Sequence, residues 1–155
     1  MKGNEQIIAL LNARLAEELT ATNQYIVHSE MCANWGYDRL HEMIEKRAIG
    51  EMKHAEKIIA RVLFLEGIPI VSNLNPMHIG DTVEKMLRND HNAEMEAVQA
   101  YRESIRIAME ASDFGTYELF EEILVDEEEH IDEIEENQDQ ISQMGVQIYL
   151  SKQVD

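Results

Sequence analysis

A pattern of acidic residues and a histidine occurs twice in this chain, the second time 76 positions after the first. In each copy a glutamate is followed 33 residues later by a Glu-x-x-His motif, and a tyrosine lies seven residues after the first glutamate. The first copy consists of Glu18, Tyr25, Glu51 and His54, and the second of Glu94, Tyr101, Glu127 and His130. The repeat predicts two similar halves related by a pseudo-twofold axis, with these polar residues meeting between them.

The spacing of apolar residues is helical over most of the chain, and no stretch alternates as a β-strand does. Four long helical segments and a short final one are predicted over residues 4–36, 38–67, 81–111, 112–145 and 146–152. Asn4 is a good N-cap and Gly36 a good C-terminal residue for the first segment, and Asp81 with Glu84 has the spacing of a capping box for the third. The sequence therefore predicts an all-α protein that forms one domain over residues 1–155.

Residues 67–80 contain both prolines of the chain and no helical pattern, which is unusual for a connection within one domain. A helix over 38–66 is about 43 Å long at about 1.5 Å per residue, and a connection of this length reaches at most about 46–50 Å. The connection can therefore return along the second helix and begin the third helix parallel to it. Four long helices with one long crossover are typical of the ferritin-like bundle rather than of the up-down bundle.

Each glutamate of the repeat interrupts an apolar helical face and is therefore predicted to point into the core. The face around Glu18, for example, includes Ile7, Leu11, Leu15, Thr22 and Ile26. Four buried carboxylates that lie close together cannot all remain ionised without counterions. Arg14 and Arg47 can reach only part of such a site, whereas two divalent cations balance all four charges. Glutamates from two helices and Glu-x-x-His motifs from two others make up the di-iron site of ferritin-like bundles, and these donors suit iron or manganese.

The chain carries 31 acidic and 13 basic side chains, a formal charge of −18. Such a charge attracts cations and repels nucleic acid and anionic membranes, so neither of these is an expected partner. No apolar run approaches the roughly 20 residues of a membrane span, and the segment MKGNEQIIAL is too polar for a secretory signal. The single cysteine, Cys32, excludes a disulfide framework and a Cys-rich metal site and fits a cytoplasmic location.

Several stretches of the sequence resemble the bacterioferritins, a haem-binding group of the ferritin family. They are ARLAEELTATNQY, ANWGY, EMKHAE, LFLEG, DEEEHID and MGVQIYL, and they are distributed over essentially the whole chain. The resemblance implies six ligands to two iron ions: Glu51 and Glu127 as bridges, Glu18 with His54 on one iron, and Glu94 with His130 on the other.

The resemblance also implies a hollow shell of twenty-four subunits, with a ferroxidase centre in each subunit and ferric mineral in the cavity. In this family haem b or a related haem lies between two subunits and is held by one methionine from each, which matches Met52 here. Leu19, Asn23 and Ile26 fall where the family lines the haem pocket. Electrons from a small ferredoxin would pass through this haem to release Fe²⁺.

Two positions depart from the family pattern. Some bacterioferritins have a histidine and an aspartate on the inner wall that bind an additional iron, and here Lys46 and Gly50 stand in those places. This departure favours passage of iron through the di-iron site itself, with His130 swinging as a gate.

Several polar residues outside the ligand set have candidate roles. Tyr25 and Tyr101 can hydrogen-bond a ligand carboxylate or supply an electron, and Asp90 can orient a ligand histidine. The remaining histidines with no partner at ligand spacing are interpreted as non-catalytic: His28, His41, His78 and His91. The acidic run over 126–136 is interpreted as a solvated face, apart from the ligands Glu127 and His130.

The sequence therefore favours an iron-storage ferroxidase that oxidises Fe²⁺ with O₂ or H₂O₂. Two other interpretations stay open at this point: a rubrerythrin-like di-iron oxidase or peroxidase without storage, and a non-enzymatic acidic helical scaffold. The size of the assembly distinguishes storage from the rubrerythrin-like alternative, and the metal content of the purified protein distinguishes both from the scaffold.

Overall fold

Four long helices and one short helix make up the regular structure of the computed structural model, which describes residues 1–155. They are α1 (Glu5–Asn34), α2 (Asp38–Phe64), α3 (Val83–Glu110), α4 (Phe114–Met144) and α5 (Val146–Ser151). The predicted all-α architecture with a short fifth helix is confirmed. None of the helices combines the length and the apolarity that a bilayer crossing requires.

The helices are arranged as two antiparallel hairpins, α1 with α2 and α3 with α4. Contacts between the hairpins show the direction in which they pack. Arg14 contacts Ser104, and Gln24, farther along α1, contacts Asp90, nearer the start of α3. Because α1 is thus antiparallel to both α2 and α3, the last two are parallel to each other. The connection over 65–82 is therefore a long crossover, which confirms the predicted ferritin-like topology.

The start of α3 differs in detail from the prediction. Thr82, not Asp81, is the N-cap, and its Oγ1 accepts a hydrogen bond of 3.2 Å from the backbone N–H of Lys85. The predicted capping box of Asp81 with Glu84 is wrong because the extended backbone of Thr82 places its hydroxyl over the first turn. Asp81 lies outside the helix and pairs with the Lys85 ammonium at 2.9 Å.

Polar side chains of α1 hold the crossover against the bundle through four backbone N–H groups. The acceptor and donor pairs are Asn12 with Ile70, Thr20 with Asn75, Gln24 with His78, and His28 with Gly80, at 2.9–3.0 Å. At the end of the crossover a Cβ on Gly80 would lie 2.4 Å from the backbone nitrogen of Met86, so a larger residue does not fit there. These bonds satisfy backbone groups of a segment that has no regular structure of its own.

The apolar core is divided into two clusters, one in each half of the bundle. One contains Ile7, Leu11, Leu15, Ala55, Ile58, Val62, Leu65, Tyr101, Ala108, Phe120 and Ile123. The other contains Tyr25, Cys32, Leu40, Ile44, Ala48, Val83, Met86, Leu87, Ile134 and Tyr149. Ile26 is 48% exposed, so its predicted inward position is wrong. Tyr25 takes the inward face there, and the next residue of a helix points about 100° away.

Candidate metal centre

The six residues predicted as metal ligands converge in the middle of the bundle, between the two apolar clusters. They are Glu18 of α1, Glu51 and His54 of α2, Glu94 of α3, and Glu127 and His130 of α4. Both Glu-x-x-His motifs lie within helices, where residues three apart share a face, so each motif presents its two side chains together. Five of the six residues are at most 4% exposed. His130 is the exception, with 18% of its side chain exposed.

These residues form two overlapping groups of four. One group is Glu18, Glu51, His54 and Glu127, and the other is Glu51, Glu94, Glu127 and His130. Within each group one candidate donor atom from every residue lies within 4.8 Å of the others. Glu51 and Glu127 belong to both groups. The geometry therefore offers two adjacent four-donor positions that share two carboxylates.

The two histidines direct the same ring atom into the cluster. His54 Nδ1 lies 3.1 Å from Glu127 Oε1 and 3.5 Å from Glu18 Oε2. His130 Nδ1 lies 2.9 Å from Glu51 Oε1 and 3.4 Å from Glu94 Oε1. The two imidazole centroids are 6.4 Å apart, with the carboxylates between and beside them.

On each of the six residues, one buried oxygen or nitrogen atom that could bind a metal has no hydrogen-bond partner, although these atoms lie close to one another. These atoms are Glu18 Oε2, Glu51 Oε1, His54 Nδ1, Glu94 Oε2, Glu127 Oε1 and His130 Nδ1. Arg14 and Arg47 do not reach them: Arg14 bonds Ser104, and Arg47 bonds Asp90 and Glu133. Buried polar atoms are normally satisfied, so a cluster of unsatisfied acceptors fits the binding of cations.

The protonation of the cluster reflects its burial. Burial and the neighbouring carboxylates raise the pKa of Glu51 and of Glu127 well above the usual range. Burial opposes a charged His54, but the nearby carboxylates of Glu127 and Glu18 favour it and raise its pKa to about 11. Glu94 behaves differently: burial raises its pKa, but its contacts with the neighbouring Glu127 and His130 side chains outweigh burial and lower the pKa to about 2. Without metal, the centre therefore retains protons that a bound cation would displace.

A tyrosine from each half of the repeat bonds a carboxylate of the other half. Tyr101 donates its hydroxyl hydrogen to Glu18 Oε1 at 2.5 Å, and Tyr25 donates to Glu94 Oε1. The predicted hydrogen bonds from these tyrosines to candidate ligands are thus confirmed. An arginine guanidinium also lies over each tyrosine ring. Cζ of Arg47 is 5.1 Å from the centroid of the Tyr25 ring, and Cζ of Arg14 is 5.9 Å from that of the Tyr101 ring.

The predicted role of Asp90 is wrong. Its carboxylate is fully buried but contacts His28 Nδ1 at 2.9 Å, Gln24 and Arg47, and no candidate ligand histidine. This network lies under the crossover, since Nε2 of the same His28 ring accepts the Gly80 N–H.

The aspartate that contacts a candidate ligand is Asp126, whose Oδ2 lies 2.7 Å from His54 Nε2. It was interpreted as part of the solvated acidic run on the fourth helix. Only the register between α2 and α4, which brings residue 126 beside residue 54, identifies its role.

Met52 lies on the outer face of α2, beside the buried Glu51, and is 43% exposed. The register of α1 against α2 is set by Gly3 with Leu65 at one end and by Ser29 with His41 at the other. This register places Met52 level with about residue 17 of α1, within one turn of Leu19. Ile49, three residues before Met52 on α2, is 43% exposed, and Ile26 (48%) and Asn23 are exposed farther along α1.

A cavity of about 510 Å³ extends between α1, α3 and the crossover as far as the centre. Its lining includes Asn75 and His78 of the crossover and the candidate ligands Glu18, Glu51, Glu94 and Glu127. Glu17 and Glu96 add two further carboxylates to the wall. Burial raises the pKa of Glu17 to about 7. The cavity thus leads from the surface to the cluster, and six of its seventeen lining residues are glutamates.

Comparisons with known proteins agree with this geometry. A family model described as "Ferritin-like domain" matches residues 8–144. A bacterioferritin of Mycolicibacterium paratuberculosis is 38% identical over 149 residues, which cover 96% of this chain and 94% of the relative. A bacterioferritin of Brucella melitensis is 39% identical over 96% of this chain and 92% of the relative, and one of Rhodobacter capsulatus is 41% identical over 87% and 84%. The chain therefore belongs to the ferritin family, and within that family to the bacterioferritins.

Proposed function

We propose that this chain is the subunit of an iron-storage ferroxidase, which oxidises Fe²⁺ at the centre between its four helices and deposits the product as ferric mineral. The observation that carries the proposal is the set of six buried donor atoms without hydrogen-bond partners. Each such atom costs free energy, and bound cations account for all six together. The bacterioferritin relatives and the acidic passage to the centre support the same function.

The two overlapping groups suggest how two iron ions are held. Glu51 and Glu127 belong to both groups and would bridge the ions. The remaining ligands would be Glu18 with His54 on one ion and Glu94 with His130 on the other. Four carboxylates balance the charge of two divalent ions, and a mixed oxygen and nitrogen donor set suits iron.

The chemistry requires two electrons for each oxidant molecule. Two Fe²⁺ ions become two Fe³⁺ ions, and the two electrons with two protons convert O₂ to H₂O₂, or H₂O₂ to two molecules of water. Side chains of this protein would hold the two ions side by side, so that both electrons are available at one place. The ligand carboxylates would also exchange protons as the ions bind and leave.

The acidic cavity gives Fe²⁺ a route to the centre. Carboxylates in a passage with a low-dielectric wall concentrate cations from solution. Glu17 and Glu96 lie in this wall together with ligand residues of the centre. Loss of both carboxylates should therefore slow the arrival of Fe²⁺ without removing any candidate ligand.

Storage requires a closed container, and we propose a homo-oligomeric shell of twenty-four subunits. The relatives are bacterioferritins, and the isolated subunit exposes large apolar side chains suited to subunit contacts. Ile68 is 80% exposed, Phe114 62% and Ile148 55%.

The ferroxidase proposal is tested by replacing one bridging carboxylate. Glu127→Ala should abolish rapid oxidation of Fe²⁺, measured by stopped-flow absorbance, because both ions lose a shared ligand. Glu128→Ala is the matched control, since Glu128 is the next residue of α4 and is exposed. A wild-type rate in Glu127→Ala would refute the proposal. Gel filtration of both variants tests the shell, and a dimeric wild type would favour the rubrerythrin-like alternative.

We further propose that Met52 binds haem at a twofold axis between two subunits. The residues fit such a group, because an exposed thioether lies on a partly apolar outer face of the α1–α2 hairpin. Haem bound there would carry electrons from a donor, for which a small ferredoxin is the candidate, toward the stored mineral. Met52→Leu should lose the Soret band of the haem-loaded protein. Met95→Leu, which changes an exposed methionine next to another buried glutamate, should retain it.

A further inference from the structure

The two halves of the metal centre differ at one position of the repeat. Asp126, directly before Glu127, places Oδ2 2.7 Å from Nε2 of His54. The residue 76 positions earlier, directly before Glu51, is Gly50. The repeat therefore supplies a carboxylate behind one histidine and no side chain behind the other.

The space between Gly50 and the His130 ring has room for the side chain that Gly50 lacks. A Cβ on Gly50 would lie 3.8 Å from His130 Nε2 and 3.9 Å from Cε1, which is ordinary contact. An aspartate there would have its carboxylate within reach of Nε2. No side chain or backbone group of the chain hydrogen-bonds this nitrogen. The side chain of His130 is also more exposed than that of His54, at 18% against 5%.

The other contacts that orient candidate ligands are equivalent in the two halves of the repeat. Tyr101 bonds Glu18 and Tyr25 bonds Glu94, so one carboxylate of each group receives a buried tyrosine hydroxyl. Glu51 and Glu127 are common to both groups. The contact behind the histidine is therefore the clearest difference between the two positions.

A carboxylate behind a ligand histidine fixes its tautomer and ring orientation and makes it a stronger donor. Loss of such a contact typically lowers metal affinity by about 10–100-fold. We propose that the two metal positions of this centre are unequal: the position served by Glu18 and His54 fills first, and the one served by Glu94 and His130 is weaker. Asp126 is the positioning residue responsible. This inference rests on the proposed metal centre.

The test is a calorimetric titration of the metal-free assembled protein with Zn²⁺. We expect two binding steps per subunit, separated by about 10–100-fold in affinity. Crystals prepared with one Zn²⁺ per subunit should show anomalous density at the His54 side. Two steps of equal affinity, or density on both sides, would overturn the inequality while leaving the metal centre intact. Absence of any stoichiometric binding would overturn both proposals.

Reciprocal variants then test the cause. Gly50→Asp should tighten the weaker step toward the stronger one, whereas Gly50→Ala, which adds only a Cβ, should not. Asp126→Ala should weaken the stronger step by about 10–100-fold, and Asp126→Asn, which retains an acceptor oxygen, should recover part of the loss. In the double variant Gly50→Asp, Asp126→Ala the density with one Zn²⁺ should move to the His130 side. Unchanged steps and occupancy in these variants would overturn the role of Asp126.

Discussion

The hydroxyl of Tyr25, on the first helical hairpin, donates a hydrogen bond to Glu94 on the second. The reciprocal bond from Tyr101 to Glu18 runs the other way, so the two hairpins are joined on both sides of the centre. Each bond occupies one oxygen of its carboxylate and leaves the other oxygen free of hydrogen bonds. The tyrosines therefore orient two candidate ligands before any ion binds.

Removal of either hydroxyl should weaken metal binding. In Tyr25→Phe, Glu94 loses one of the hydrogen bonds that lower its pKa and hold its orientation. Loss of such outer contacts typically costs about 10–100-fold in metal affinity, and we expect a loss in this range for Zn²⁺ by calorimetry. Tyr149→Phe is the matched control, because this buried hydroxyl bonds Asn137, outside the ligand set, at 2.6 Å. Equal affinities in the two variants would contradict the prediction.

Metal binding should release protons and should tighten as the pH rises. Glu51, Glu127 and His54 all have a raised pKa in the metal-free centre, so they retain protons at neutral pH. A divalent ion must displace these protons to use the same atoms, so acid competes with metal. Calorimetric titration with Zn²⁺ in buffers of different ionisation enthalpy measures the number of protons released. Binding without proton release, or with an affinity independent of pH, would show that the centre is already deprotonated.

Neutralising Glu51, which belongs to both groups of candidate ligands, should stabilise the metal-free protein. A carboxyl whose pKa is higher in the folded than in the unfolded state lowers stability increasingly as the pH rises above its unfolded pKa. Glu51 is such a group, and Glu51→Gln removes this penalty at neutral and alkaline pH. We expect a gain of about 1–3 kcal/mol, seen as a higher melting temperature in calorimetry. The gain should shrink toward about pH 4.5, where the unfolded carboxyl is also protonated.

Zn²⁺ should raise the melting temperature of Glu51→Gln less than that of wild type. Excess Zn²⁺ stabilises a folded protein in proportion to the logarithm of metal concentration over the dissociation constant, so wild type should gain more than Glu51→Gln. Glu56→Gln, an exposed change on the same helix, should differ little from wild type in either condition. A lower melting temperature for metal-free Glu51→Gln than for wild type would contradict the prediction.

The crossover should loosen when its contacts with α1 are removed. Thr20 Oγ1 accepts the Asn75 N–H at 2.9 Å and donates to the carbonyl of Ala16 at 2.7 Å. Thr20→Val keeps the shape but removes the protein acceptor of the Asn75 N–H. Because Asn75 is exposed and water can replace the acceptor, the loss costs about 0.5–1.5 kcal/mol. We expect faster hydrogen exchange at the amide of residue 75, and Thr20→Ser should preserve its protection. Unchanged exchange in Thr20→Val would show that this bond does not hold the segment.

Periodicity and the repeat were sufficient to predict the helices, the crossover and the convergence of six polar residues. They were sufficient because an inward glutamate and a Glu-x-x-His motif depend only on the geometry of a single helix. The contacts of Asp90 and Asp126 depend instead on the register between helices, and the sequence does not display that register. Asp90 was accordingly assigned to a ligand histidine and lies under the crossover, whereas Asp126 was assigned to solvent and contacts His54.

The division of the core into two apolar clusters has a consequence for the exchange of ions at the proposed metal centre. Each cluster joins residues from α1, α2, α3 and α4 without using the polar layer between them. An ion can enter or leave that layer while the apolar packing on either side of it stays intact. Binding and release of ions at the proposed centre therefore need not expose apolar surface or unfold part of the subunit.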